Sequence, residues 1–250
     1  MKIIKGRQWE PRKCLTFGLP AVGKSYYASQ AKKPLIIDIE NGLNDLDVHK
    51  TEVMKDFTSV LTCLEQLAAP GMPYQTVVID SLDWLEALIW RDVSEAAGKQ
   101  SISEIPFGGG YRIALEQWRD VIRRLERIRL THQAMILLIA HSTIKKFEDP
   151  IHGSYDRYMP ALHSSVSALV AEYVDEMFFA KYRVHLKTED QGFNRTKTYG
   201  IGSGERVLQT SETPSAIAKN RLGLPLEIPM EFEFYRTAIE KHHENTHRKG

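Results

Sequence analysis

Two patterns of apolar residues alternate along this chain. Short unbroken runs come first: Lys13-Cys14-Leu15-Thr16-Phe17, Pro34-Leu35-Ile36-Ile37-Asp38-Ile39-Glu40, Thr76-Val77-Val78-Ile79-Asp80 and Ala134-Met135-Ile136-Leu137-Leu138-Ile139-Ala140. Runs of this length without polar alternation predict strands covered on both faces of a parallel sheet. Between them lie stretches with helical spacing. Asp56 to Leu67 places Val60, Leu61, Leu64 and Leu67 on one face and is broken by Gly71-Met72-Pro73. A helix is expected near Leu82–Val93, and a longer amphipathic one from Arg112 to Arg129 with Val121, Leu125 and Ile128 inward. Strands alternating with helices predict an α/β fold with a doubly wound, mostly parallel sheet.

The second half is less regular. Gly98 to Gly110 is rich in Gly, Ser and Lys and reads as a loop, and from Ser142 to Ser165 periodicity is lost. Ala168–Val174 reads as a helix, and Glu176–Lys181 and Arg183–Lys187 read as strands. Asp190-Gln191-Gly192-Phe193-Asn194 is a hairpin turn signal, with a return along Arg195–Ile201 that adds an antiparallel extension to one sheet edge. Polar residues from Lys241 to Gly250 are expected to fray. The 250 residues, 42% of them hydrophobic, support one sizeable domain over residues 1–240 and a polar tail over 241–250.

Charge narrows the function. A net +1 from 33 basic and 32 acidic residues excludes a polycation, so nucleic-acid binding would need local patches. Met1-Lys2-Ile3-Ile4-Lys5-Gly6 lacks the apolar core of a secretory signal, and no run is long enough to span a bilayer, so a cytoplasmic protein without membrane contact is expected. Two cysteines, Cys14 and Cys63, make neither a disulfide framework nor a metal site.

The chemistry begins at Gly18-Leu19-Pro20-Ala21-Val22-Gly23-Lys24-Ser25, which matches G-x-x-x-x-G-K-[ST], with a strand before it and a helix opening at Ser25-Tyr26-Tyr27. Glycines let backbone N–H groups approach a polyphosphate. Lys24 supplies a charge at the β/γ-phosphates, the Ser25 hydroxyl a ligand for Mg²⁺, and Gly18 to Tyr26 form the cradle. An acid on a neighbouring strand is needed to hold the ion, and Asp80 is the candidate; an N-cap role at the same position is compatible with it. Asp38 and Glu40 both stand near a strand end, and either can activate water. His141 ends the Ala134–Ala140 run and can sense the γ-phosphate.

The order of these motifs resembles the RecA core. Ile36-Ile37-Asp38-Ile39-Glu40-Asn41-Gly42-Leu43 looks like the strand bearing the catalytic glutamate. Val77-Val78-Ile79-Asp80-Ser81 looks like the Walker B strand. Ala218-Lys219-Asn220-Arg221-Leu222-Gly223-Leu224-Pro225 looks like the segment that reaches across a subunit interface to a neighbour's ATP. By size the chain is most similar to the small phage-encoded RecA-like ATPases of single-strand annealing recombination. That resemblance implies a three-layer P-loop ATPase with ATP and Mg²⁺ as cofactors. It implies Glu40 as base, His141 as sensor where RecA has glutamine, and Lys219 and Arg221 acting in trans within a homo-oligomer. Its partners would be single-stranded DNA and a single-strand-binding protein. RecA's N-terminal helix and polymerisation strand have no counterpart before Lys13, which argues against a RecA-type filament.

The two irregular stretches would be DNA-binding loops. Thr143–Arg157 interleaves Lys145, Lys146, Phe147, His152, Tyr155 and Arg157, and the earlier loop offers Lys99, Phe107, Tyr111 and Arg112. Cations serve phosphates and rings serve bases. Arg119, Arg123 and Arg127 share one helix face and read as a solvated stripe paired with acids such as Asp120 and Glu126, ahead of a phosphate track. Two other functions fit the same P-loop: a small-molecule phosphotransferase, and a helicase or helicase loader.

Overall fold

The computed structural model describes residues 3–6, 8–150, 153–190 and 196–247, with backbone only at 185–190, 196–203 and 245–247. The buried apolar runs form the middle of the sheet as expected: β1 (Lys13–Gly18), β2 (Pro34–Asp38), β4 (Thr76–Asp80) and the start of β5 (Met135–Asp149). With a short β3 (His49–Lys50) and the long β7 (Glu176–Asp190) and β8 (Thr196–Gln209), the order across the sheet is β10-β8-β7-β1-β5-β4-β2-β3. β10 is Glu227–Pro229, and two further strands lie off this path: β6 (Gly153–Pro160) pairs with β5 and β9 (Lys219–Asn220) with β7. Pairings from β7 through β1, β5, β4, β2 and β3 are parallel; those of β7 with β8, β8 with β10, β7 with β9 and β5 with β6 are antiparallel.

Helices cover both faces. One apolar cluster joins Leu15, Phe17, Ile37, Val77 and Ile79 to α2 (Phe57–Leu67), α3 (Leu82–Ala96), α4 (Gly109–His132) and α5 (Ser164–Tyr173). The other joins Cys14, Ile36, Val78, Leu137 and Phe178 to α1 (Lys24–Ser29) and α6 (Phe232–His247). Cys14 is a buried core residue, as its place in a central strand predicts. The fold is thus a three-layer α/β domain with a mostly parallel sheet and antiparallel extensions. No helix among the described residues is long and apolar enough to cross a membrane.

Four local expectations change. Most of the stretch from Ser142 to Ser165 is a hairpin, not a loop, because β5 runs past His141 to Asp149 and pairs with β6 back to Pro160, and Ser164 already opens α5. Both faces of that hairpin carry polar residues, so no apolar alternation marks it. Gly98–Gly110 contains a single-turn 3₁₀ segment at Ile102–Glu104 and a turn at Pro106–Gly108 with Phe107 and Gly108 at positive φ, and α4 already starts at Gly109. β7 continues through the break expected at Tyr182, with a bulge between Tyr182 and Val184. α6 extends to His247, into the stretch expected to fray; Trp9 packs edge-on against His243, and Arg236 pairs with Glu233 and Glu240. The turn at 191–195 lies outside the described residues, but the strands it joins pair in register up to Asp190 opposite Thr196.

Candidate ATP site

Parallel strands align their C-terminal ends, and the register fixes what meets there. Gly18 lies level with His141 on β5 and Ala180 on β7. Asp80 lies level with Ile139 on β5 and with Asp38 on β2. The phosphate loop therefore emerges beside the ends of three acid- or histidine-bearing strands. Gly18 is confined: a methyl group there would collide with the Ala180 carbonyl oxygen. Gly23 closes the loop with φ +99, a backbone state that L side chains rarely adopt.

Lys24 opens α1, is 6% exposed, and donates from Nζ to the carbonyl oxygens of Leu19 (2.8 Å) and Gly18 (3.2 Å). Burial lowers its pKa, opposed by the charges of Asp80, Glu40 and Asp83. The Ser25 hydroxyl lies beside the Asp80 carboxylate, and burial raises Asp80 to about 6 despite that hydroxyl and the nearby Lys24 charge. A hydroxyl and a carboxylate are hard oxygen donors of the kind Mg²⁺ takes alongside water and phosphate. Among the described residues no group of three or more His, Cys, Asp and Glu side chains could hold a metal. An ion at Ser25 and Asp80 would therefore share its coordination with the phosphates, and the residues present fit such an ion.

The two candidate bases separate. β2 ends at Asp38, and the chain turns before Glu40. Asp38 is buried, and its Oδ1 accepts the Asn41 N–H at 2.7 Å, which builds the turn. Glu40 is half-exposed and joins Ala21, Gly23, Lys24, Ser25, Tyr26, Gly42, Asp80 and His141 around a cavity of 220 Å³. Its Oε2 accepts the Ser81 hydroxyl at 3.3 Å, and its Oε1 lies 3.7 Å from His141 Nε2. The peptide between Asp80 and Ser81 is cis.

Sequence reasoning missed Asp83, the residue that fixes His141. Asp83 accepts from the His141 backbone N–H at 2.9 Å and from Nδ1 at 2.8 Å, leaving Nε2 toward Glu40. The hydrogen bond to Asp83, opposed by burial, raises the His141 pKa above that of a free imidazole. Asp83 is in the first turn of α3, one turn from Asp80, where it reads as an ordinary helix-start acid.

The remaining candidates lie elsewhere. Lys219 is on β9 opposite Met177, level with Leu15 and three residues before Gly18, about 10 Å below the loop. Its Nζ donates to the Ala171 and Val174 carbonyls at the end of α5 (2.8 and 2.6 Å), and Arg221, more than half exposed, pairs with Asp175 at 3.0 Å. Neither joins its own chain's phosphate loop.

Of the proposed DNA contacts, Lys99, Phe107, Arg112, Lys146 and Phe147 are exposed, and Phe107 is 99% so at φ +56. Lys145 donates to the Leu162 carbonyl at 2.8 Å. Arg157 is 5% exposed, pairs with Glu212 and lies 5.0 Å above the Phe147 ring. Tyr111 stacks on His163 at 4.8 Å. His152 lies outside the described residues. The stripe of Arg119, Arg123 and Arg127 is paired with Glu116, Asp120 and Glu65, as a solvated face should be, whereas Glu126 pairs with Arg129.

The chain belongs to a family of P-loop proteins: the family model described as an AAA domain matches residues 10–222. It is thereby a nucleotide-binding protein of the ATPase class. No curated protein sequence matches the chain. Among solved structures it is similar to the RadB recombinase, with 11% identity and a TM-score of 0.45 over 80% of this chain and 81% of that one.

Proposed function

We propose that this protein binds and hydrolyses ATP with Mg²⁺, binds single-stranded DNA on the hairpin side of the site, and supports annealing-type homologous recombination. The observation that carries the ATPase reading is the convergence of Lys24, Ser25, Asp80, Glu40 and His141 on one small cavity. Lys24 supplies the cation for the terminal phosphates. Ser25 and Asp80 would hold Mg²⁺, which would offset the negative charge of the phosphates. Glu40 takes the proton of the attacking water, oriented by Ser81 and His141.

The DNA reading rests on what continues from His141. Its carbonyl accepts the Ala161 N–H at 2.8 Å, which closes the base of the β5–β6 hairpin. Next to it, Glu86 accepts the His163 N–H with both carboxylate oxygens (3.1 and 3.0 Å), and Tyr111 from the first candidate loop stacks on His163. A side chain facing the γ-phosphate is thus one residue from the hairpin that would meet DNA. The RecA resemblance adds the annealing role, a single-strand-binding protein as a further partner, and ATP sites completed by Lys219 and Arg221 of a neighbouring copy.

ATP hydrolysis measured with and without single-stranded DNA tests the reading. Stimulation by DNA is expected. A basal rate unaffected by DNA, with phosphate transferred to a small acceptor, would support a phosphotransferase instead.

A further inference from the structure

Arg206 on β8 takes no part in the motifs above, yet its side chain lies on the phosphate loop. The register explains how it reaches there. Leu208 is level with Ala180, and through it with Gly18; Arg206 is opposite Tyr182, two residues further on. Two strand residues advance about 6–7 Å, the height at which the loop passes over the end of β1. Leu208 packs in the cluster that holds Val22, Tyr27 and Ala28, on the face covered by α1. Alternation returns Arg206 to that same face. The guanidinium stands so close to Gly23 that a methyl group added there would collide with Nη1, and Cζ lies 5.8 Å from the centre of the half-exposed Tyr26 ring.

Charge sharpens the question. The neighbouring Arg183 is paired with Glu205 and Glu227. Arg206, among the described residues, has no carboxylate partner; its side chain meets the Tyr26 ring and the loop backbone. A cation held against a phosphate loop without a counter-charge is a ready ligand for an anion.

Topology says which part of the nucleotide it meets. In the sheet order β8-β7-β1-β5-β4-β2, Arg206 approaches the loop from the β8 side, while His141, Asp80 and Glu40 approach from the β5, β4 and β2 side. Hydrolysis places the γ-phosphate with those acids, so the β8 side is left for the α- and β-phosphates. We propose that Arg206 is a nucleotide ligand supplied in cis, holding the α/β-phosphates across Gly23, and that Tyr26 beneath it carries the adjoining sugar and base. This rests on the ATP-site reading above and adds a residue that no P-loop motif contains.

The experiment is calorimetric titration of the full chain with ADP and with a non-hydrolysable ATP analogue, both with Mg²⁺, alongside steady-state hydrolysis. A charge-assisted hydrogen bond corresponds to about a tenfold to hundredfold change in affinity. Arg206→Gln should weaken ADP and the analogue by the same factor in that range, with the loss in hydrolysis appearing in KM rather than kcat. Arg206→Lys should recover part of it, which excludes a folding defect. Unchanged affinity for both nucleotides overturns the proposal. So does loss confined to the ATP analogue, or a fall in kcat with ADP binding intact, since either puts the arginine at the γ-phosphate. Lys24→Ala separates the two levels of inference. If it binds nucleotide as tightly as the wild type, the ATP-site reading fails and Arg206 falls with it; if it does not, an inert Arg206→Gln sinks the cis ligand alone.

Discussion

Replacing Asp80 with asparagine should make the nucleotide-free protein more stable while depriving it of Mg²⁺. Asp80 is 4% exposed, and its pKa is raised from 3.8 to about 6, chiefly by burial. That rise corresponds to about 3 kcal/mol. The sign follows from which state holds the proton more tightly. The folded carboxyl does, so ionisation opposes folding; the penalty is fully present above pH 6, shrinks to about half near pH 5, and is gone below the unfolded value near 3.8. Asparagine keeps the shape and a carbonyl oxygen beside Ser25 but never ionises. At pH 7 the Asp80→Asn protein should therefore melt about 6–12 °C higher than the wild type without nucleotide, and the gap should narrow by about half at pH 5. Thermal melts across that pH range measure it, and Mg²⁺-dependent nucleotide binding in the same samples should be lost. A variant that melts at or below the wild type at pH 7, or a gap that does not change with pH, would refute the argument that this carboxylate is held at a cost for the sake of the metal.

Three other outcomes are expected. Glu40→Gln should keep nucleotide affinity and lose turnover about a hundredfold, whereas Asp38→Asn, which retains an oxygen for the Asn41 N–H, should keep most of it; rates from the two purified proteins decide, and the reverse pattern makes Asp38 the base. Lys146→Ala should weaken single-strand binding and reduce its salt slope by about 0.7, while Arg157→Ala should register first as a lower melting temperature, because it deprives Glu212 and Phe147 of a buried partner; an unaltered salt slope for Lys146→Ala moves the DNA surface elsewhere. Mixing Arg221→Ala with Lys24→Ala should restore hydrolysis that neither has alone, since one retains the phosphate loops and the other the cations; activity independent of protein concentration, with no recovery, rules out sites shared between copies.

What could be read in the sequence were the features that local chemistry dictates. The P-loop spacing, the buried strands that flank it and the acid ending Val77-Val78-Ile79-Asp80 all follow from residues adjacent in the chain. The misses have equally physical causes. The β5–β6 hairpin carries Lys146 opposite Asp156 on one face and Lys145 opposite Arg157 on the other, so the polar–apolar alternation that announces a strand is absent. Asp83 and Arg206 become functional candidates only through partners far away in sequence, His141 and Gly23. Lys145, Arg157 and Tyr111 read as free surface groups because nothing local reveals Leu162, Glu212 or His163 waiting beside them. Conversely, Asp38 and Glu40 could not be separated by alternation, since the strand ends between them.

The course of β5 gives the site its mechanical logic. Its first residues, Met135 to Ala140, lie in the central sheet between β1 and β4, and from Ser142 onward its ladder is with β6. His141 is the junction. On one side its ring faces Glu40; on the other its N–H and Nδ1 are taken by Asp83, and its carbonyl receives Ala161. On the proposed reading, a change in charge at Glu40 would act at the residue where the central strand gives way to a two-stranded ribbon. Asp83 limits what that change can do. It holds the ring on Nδ1, which leaves the Nε2 contact with Glu40 as the one that such a change would alter. An ATPase that reads its nucleotide state through this residue would need no separate lever to reach a strand of DNA.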